Sequence, residues 1–561
     1  MLTCIIKSIK QITFPLSKFI FLISSISSLT ESIAAFAEIG SSTEHELPCQ
    51  TITDEDFQTL LWNREQGLVG FQHNLDRVPI ISAPDDAVLN WQMLSQTEKE
   101  RLVIEQEKMF LDGKISMIVL AGGEATRFGC PKPFIKVSDD LGEFLEIKAA
   151  NIHWLQTTFG KSVPFYIFCN EVRLDEFKKM LADRKYYGLN PTQIRWFVQE
   201  TVNTFIPTLA ELSAQYANKE LTTHLTFNEA LRRENPDGIY RFQGKERKIP
   251  PGHFDALAAF IISGLYSEAL KQGIEFVSVV NIDNLQAILK NDGMFAHFAE
   301  SRVDFGFLLT EKNLFLKIRD KSNNKIIQDN LIVRFRDNVL SFDGLDEFSN
   351  KAVKDGYQYV INQIKMCVDV YDENGSLVDT ETTTKSEVGG TLVQLADESG
   401  HAVGEPVMRE GFQLPANFDH VNAPYFNTNT VIINLRNFLK FLEKSEEQIG
   451  NMSIHERRDL VREKLINQIK PNFEFKNHEV KGEYPLLGIV KDGKTKILVM
   501  QITRIMLQAS HLKGAKSGFI FAPRSQVWMP VKEPGDRIIA AKNCRESLKK
   551  YTLRASSMEE F

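Results

Sequence analysis

Met117-Ile118-Val119-Leu120-Ala121-Gly122-Gly123-Glu124-Ala125-Thr126-Arg127-Phe128-Gly129-Cys130-Pro131-Lys132 opens as an uninterrupted apolar run, reaches a glycine pair and closes on a Pro-Lys. A run of that length reads as a parallel strand buried on both faces that feeds a glycine loop. Glycines directly after such a strand let the backbone approach a ligand, with N–H groups facing phosphates or a base edge. Arg127 and Lys132 add positive charge suited to a triphosphate. The spacing fits neither a Walker P-loop nor a GxGxxG fingerprint.

Outward from this loop the pattern repeats. Phe165-Tyr166-Ile167-Phe168-Cys169-Asn170 is a second apolar run, with a helical stretch from Phe144 to Phe159 before it. Ile194-Arg195-Trp196-Phe197-Val198-Gln199 and Phe276-Val277-Ser278-Val279-Val280-Asn281 are a third and fourth. The alternation predicts an α/β domain with a mostly parallel sheet and helices on both faces. Each strand ends in a glycine or an amide: Gly122, Asn170, Gln199, Asn281. In open α/β sheets the carboxyl ends of the strands line the ligand crevice, so these four ends are expected to meet. Residues 50–110 read as helical. Asp54-Glu55-Asp56-Phe57 starts one segment, and Ser95-Gln96-Thr97-Glu98 has the form of a capping box.

The 561 residues suit two to four domains at about 100–200 residues each. Hydrophobic residues at 43% and charged ones at 25% fit a globular chain and exclude collagen-like, coiled-coil and disordered classes. With 66 basic against 73 acidic residues and no long basic run, nucleic acid is not an expected partner. Cys4, Cys49, Cys130, Cys169, Cys367 and Cys544 lie far apart without CxxC spacing. That excludes zinc-ligand patterning and argues for a reducing compartment, hence a cytoplasmic location.

The N-terminus reads in two ways. Lys7, Lys10 and Lys18 precede the apolar run Phe19–Ile23, and Ala35-Phe36-Ala37 has the form of a small-residue cleavage site. That is the layout of an export signal over residues 1–37. Glu31 and five serines within the stretch favour an extension or an upstream start codon instead. No later segment is long and apolar enough to span a membrane.

Six ordered blocks between Leu120 and Lys532 resemble the nucleotide-diphospho-sugar pyrophosphorylases, and within them the eukaryotic UDP-glucose pyrophosphorylase family. The Gly122-Gly123 loop with Arg127 and Pro131-Lys132 is the first. Pro250-Pro251-Gly252-His253-Phe254-Asp255 resembles that family's Pro-Pro-Gly-His-Gly-Asp, and Asn281-Ile282-Asp283-Asn284 its Asn-Ile-Asp-Asn. Lys385-Ser386-Glu387-Val388-Gly389-Gly390-Thr391, Phe426-Asn427-Thr428-Asn429, and Pro523-Arg524-Ser525 through Met529-Pro530-Val531-Lys532 complete the series. Ala125 and Phe254 depart from family glycines, and each adds a Cβ in a loop that needs close approach. Arg127 is more typical of the UDP-N-acetylhexosamine and bacterial branches.

The resemblance implies a Rossmann-like nucleotidyltransferase sheet of the GT-A type. It also implies transfer of uridylyl from UTP to a sugar 1-phosphate, with release of pyrophosphate. Glucose 1-phosphate is the expected substrate; UDP-N-acetylglucosamine synthesis or a broad UDP-sugar activity is the alternative, and a non-catalytic sugar-nucleotide binder is the second. Joining two anions calls for positioning and cations rather than a covalent nucleophile. Arg127, Lys132 and Lys532 are therefore the expected catalytic cations. Leu120, Ala121, Gly122, Gly123, Lys132, Gln199 and Gly252 are expected at the nucleotide, with the Gln199 amide reading the uracil edge. His253, Asn281, Ile282 and Asp283 are expected at the sugar phosphate. Asp283 is the expected Mg²⁺ ligand, one carboxylate being enough when phosphates supply further oxygens. Asn427 and Asn429 read equally as sugar-hydroxyl partners and as strand-end structural residues.

The expected division is a helical region at 38–114, a catalytic domain at 115–440 and a small C-terminal module at 441–561. Only 29 residues follow Lys532 here, too few for a long β-helix after it.

Overall fold

The computed structural model describes residues 51–74, 79–122, 130–335, 338–342, 345–347, 350–387, 389–415, 418 and 423–552. The first of the four apolar runs becomes strand β1 (Ile115–Leu120); the next three become β2 (Phe165–Asn170), β3 (Ile194–Gln199) and β4 (Phe276–Asn281). All six residues of β1 and of β2 are buried. Successive side chains on a strand point to opposite faces, so both faces of the sheet are covered there. Three further strands, β5 (Phe305–Glu311), β6 (Tyr425–Asn434) and β7 (Ser517–Phe521), extend it.

The spatial order is Leu89–Asn90, β7, β5, β6, β4, β1, β2, β3. Neighbours run parallel throughout except at β6, which is antiparallel to both β4 and β5. This is the mixed, mostly parallel α/β sheet that the sequence predicts. In register, Asn281 stands opposite Leu120, Leu120 opposite Phe168, and Asn170 opposite Gln199. The carboxyl ends of β4 and β1 therefore finish level, and those of β2 and β3 finish level two residues further on, which opens a crevice at that edge.

Helix α1 (Gln96–Leu111) starts where the sequence placed its cap. Ser95 Oγ accepts from Glu98 N at 3.2 Å. The reciprocal half of the box is missing because Arg101 takes the Glu98 carboxylate at 3.0 and 2.7 Å. Helix α2 (Phe144–Phe159) links β1 to β2 over its predicted span. Helix α3 (Asp255–Ile262) is buried at every position, and α4 (Asp536–Tyr551) buries Ala540, Ala541, Cys544, Leu548 and Tyr551 on the main core.

Three features were not legible in the sequence. The sheet is not confined to residues 115–440, since it takes Leu89–Asn90 from before that span and β7 from after it. Between β5 and β6 lies an antiparallel lobe: Leu314–Asp320 sits between Ile326–Arg334 and Thr380–Ser386, with a separate core at Ile318, Leu331, Val333, Tyr359 and Val370. Finally, Asn472–Lys481 pairs with Lys494–Thr503 over ten residues. The apolar side chains of that pair, Phe473, Met500 and Ile502, pack on Phe57, Leu61 and Phe205. Among the described residues, no helix is long and apolar enough to cross a membrane.

Candidate active site

A cleft of about 580 Å³ opens at the carboxyl edge of the sheet. Leu120, Gly122, Gln199, Asn281, Ile282 and Asp283 line it from the strand ends, Lys132 from the first loop, Gly252 and His253 from the second block, and Lys532 from the last. Arg127 and Gly123 lie outside the described residues, as does Ala125. Ala121 is buried behind Leu120, its N–H donating to Phe168 O at 2.8 Å. The Asn170 side chain does not reach the cleft: it caps the next turn through Val172 N at 2.9 Å.

Asp283 is the centre of the site. It follows β4 and is 1% exposed. Lys132 Nζ lies 2.7 Å and Lys532 Nζ 2.8 Å from its Oδ2. Burial pushes the carboxyl up, but the Lys532 and Lys132 ammonium groups outweigh that and hold it below the ordinary range. Its other oxygen, Oδ1, is buried with no hydrogen-bond partner among the described residues. A buried carboxylate oxygen left bare is costly, and a hard cation that takes oxygen ligands satisfies it. Asp283 therefore fits Mg²⁺.

Lys532 is delivered by backbone pairing. Asn284 Nδ2 donates to Val527 O at 2.9 Å, and its Oδ1 accepts from Met529 N at 2.9 Å. Leu285 N donates to Met529 O, and Val531 N to Asp283 O, both at 3.0 Å. The fourth residue of the Asn-Ile-Asp-Asn block thus holds the Met-Pro-Val-Lys block in place.

Gly252 has φ +114, and a Cβ there would stand 2.1 Å from Arg504 O. Its glycine is required by that backbone, not by a nucleotide alone. Phe254 lies in the ordinary helical region at φ −60 and is fully buried in the main core, so its Cβ meets no conformational penalty. Asp255 of the same block pairs with Arg504 at 3.0 Å, which also faces Glu200 at 3.8 Å. Burial, then the Asp255 charge, pushes Glu200 up to about 7.

His253 Nδ1 accepts from Met506 N at 2.8 Å. Burial, then the Lys532 charge, holds the ring down at about 4, so it is neutral at pH 7 with its proton on Nε2. The Gln199 amide donates to Gly252 O, and its Oε1 lies 3.4 Å from the place a Gly122 Cβ would occupy. The two asparagines separate: Asn429, at φ +53, lines the cleft, while buried Asn427 holds it through Nδ2 to Asn429 Oδ1 at 2.7 Å.

The remaining block is architectural. Arg524 Nη1 and Nη2 bind Glu387 at 2.9 and 2.7 Å, joining the fourth and sixth blocks. Residues that sequence reasoning missed form the opposite wall: Arg247, Lys476, Asn477 and Gln501. Lys476 and Gln501 are aligned by Glu474, at 2.6 and 3.1 Å. Polar–apolar alternation in 472–481 signals a strand, but which face meets the cleft depends on its pairing.

The family model of UTP–glucose-1-phosphate uridylyltransferase matches residues 63–224 and 236–315, which carry the first three blocks. Over those residues the chain is similar to that family. A Schizosaccharomyces pombe protein named "Probable UTP–glucose-1-phosphate uridylyltransferase" is 24% identical over 312 residues, 54% of this chain and 56% of its own. The UTP–glucose-1-phosphate uridylyltransferase of Solanum tuberosum is 28% identical over 230 residues, 40% of each chain. The chain thus spans about half the length of the curated relatives it matches. Among solved structures, the Trypanosoma brucei uridine diphosphate N-acetylglucosamine pyrophosphorylase superposes with a TM-score of 0.50 at 12% identity, covering 87% of this chain and 76% of that one. That likeness is one of fold.

Proposed function

We propose that this chain transfers uridylyl from UTP to a sugar 1-phosphate, glucose 1-phosphate foremost, releasing pyrophosphate. The observation that carries the reading is the meeting of Lys132 and Lys532 on one oxygen of Asp283, inside the cleft where the family's blocks converge.

The sugar phosphate oxygen attacks the α-phosphorus of UTP, the bond from that phosphorus to the bridging oxygen breaks, and pyrophosphate leaves in line. Lys132 and Lys532 exchange the Asp283 oxygen for phosphate oxygens and neutralise the charge that grows on the leaving group. Bound at Asp283, Mg²⁺ would supply Lewis-acid neutralisation of phosphate oxygens. His253, neutral with its proton on Nε2, donates to a phosphate oxygen without adding charge. Leu120, Gly122, Gln199 and Gly252 form the seat for the base, with Gln199 Oε1 as acceptor for a uracil N–H. Asn429 faces the sugar hydroxyls. Arg127 and Gly123 are assigned to the same phosphates and base on their block alone.

Pyrophosphate release from UTP and Mg²⁺, measured with glucose, galactose, glucuronate and N-acetylglucosamine 1-phosphates, tests the reading. Turnover highest with glucose 1-phosphate, with UDP-glucose as product, is expected. Preference for the N-acetylated sugar would move the substrate, and no turnover with any member would overturn the function.

A further inference from the structure

Lys148 on α2 is fully buried and forms no ion pair among the described residues, though the Asp283 charge acts on it. Its Nζ donates to Asn284 O and to Ala287 O, both at 2.7 Å. A buried ammonium is expensive, and burial, only partly offset by the Asp283 charge, pulls this one down to about 7. The two carbonyls it satisfies belong to the turn that carries Asp283. One helical turn on, Asn151 grips the same segment through Leu289 O at 2.9 Å and Leu289 N at 2.8 Å, and also reaches Tyr551 O of α4 at 2.8 Å. Residues 148 and 151 share one face of α2, so that face is a clamp on the segment 284–289. Asn284 in turn holds Met529, and Val531 bonds Asp283. The contacts form a continuous line from Lys148 through Asn284 to Lys532.

We propose that Lys148 is a positioning residue for the reaction: its two hydrogen bonds fix the turn that aims Asp283 and, through Asn284, the segment that delivers Lys532. The catalytic part of this inference rests on the functional reading above; the mechanical part does not.

Lys148→Met keeps the stem and removes the donors. Lys148→Gln keeps an amide donor without the charge, and carries the comparison if the Met variant does not fold. Hydrogen exchange by mass spectrometry on peptides covering 282–290 and 527–533 reads the mechanical part without substrate. The Leu285 and Val531 amides should exchange about tenfold faster in Lys148→Met, less so in Lys148→Gln, with β2 and β3 unchanged. Exchange equal to wild type in both peptides would overturn the proposal. In turnover assays the Met variant should lose about tenfold or more in kcat, partly recovered by Gln, and need more Mg²⁺ for half-saturation. Wild-type kcat and Mg²⁺ midpoint in a folded Met variant would reduce Lys148 to a structural lysine. If the wild-type chain transfers no uridylyl group, the functional reading fails while the exchange result still decides the mechanical claim.

Discussion

Lys132 and Lys532 stand 400 residues apart in the sequence, yet their ammonium groups contact the same oxygen of Asp283, at 2.7 and 2.8 Å. Two cations on one carboxylate leave the cluster net positive, and the lysines lie in a cleft that phosphates can enter. The carboxylate holds both cations near where they are needed, so little reorganisation remains when an anionic substrate arrives.

The two lysines should nevertheless fail differently when truncated. Lys132 flanks the glycine loop assigned to UTP, whereas Lys532 is positioned by the turn after β4. Lys532→Ala should lower kcat by about 10²–10³-fold, the scale of a lost oxyanion donor, with a modest change in KM for UTP. Lys132→Ala should raise the KM for UTP at least as much as it lowers kcat. Steady-state kinetics separate the two; an intact kcat in Lys532→Ala would remove the C-terminal region from catalysis.

Gly252→Ala should damage the fold as well as the site. The new Cβ would meet Arg504 O at 2.1 Å in a backbone conformation that L side chains rarely adopt. Strain of that kind costs about 1–3 kcal/mol before any clash is counted. A clearly lowered unfolding transition together with lost turnover is expected, and wild-type thermal stability would show that the loop can move away from Arg504.

Acid stability reports on His253. Its folded value, about 4, lies below the ordinary 6.5, so the unfolded chain binds the proton first as pH falls. The sign follows: stability is full above about pH 6.5 and declines from there to about pH 4, by roughly 3 kcal/mol at most. His253→Gln, which keeps an acceptor for Met506 N–H, should show a flatter melting profile than wild type across that window. Parallel profiles would mean that the ring is already charged in the folded state.

Much of this site was legible because buried parallel strands leave continuous apolar runs. Phe165–Asn170 and Ile194–Gln199 form strands with the bounds their apolar pattern implies. Gly122, Gln199, Gly252, His253, Asp283 and Lys532 share one cleft because the strands end at one edge of the sheet and the last block pairs with the turn after β4. What escaped depends on long-range register. Nothing local to Ser517–Phe521 shows that it pairs parallel to β5, more than 200 residues earlier. Lys476 and Gln501 reach the cleft only because a ten-residue antiparallel pairing turns one face of their strands inward. Gly252 was expected to clear a nucleotide, and the contact that demands glycine is a backbone from position 504.

The account stands or falls on Asp283. Asp283→Asn keeps the shape, removes the charge that both lysines share and replaces the carboxylate that fits Mg²⁺. Pyrophosphate release from UTP, glucose 1-phosphate and Mg²⁺ should fall by at least about 10²-fold in this variant, while its melting transition shows that it still folds. Near-normal, Mg²⁺-dependent release from Asp283→Asn would contradict the account and place the catalytic centre elsewhere.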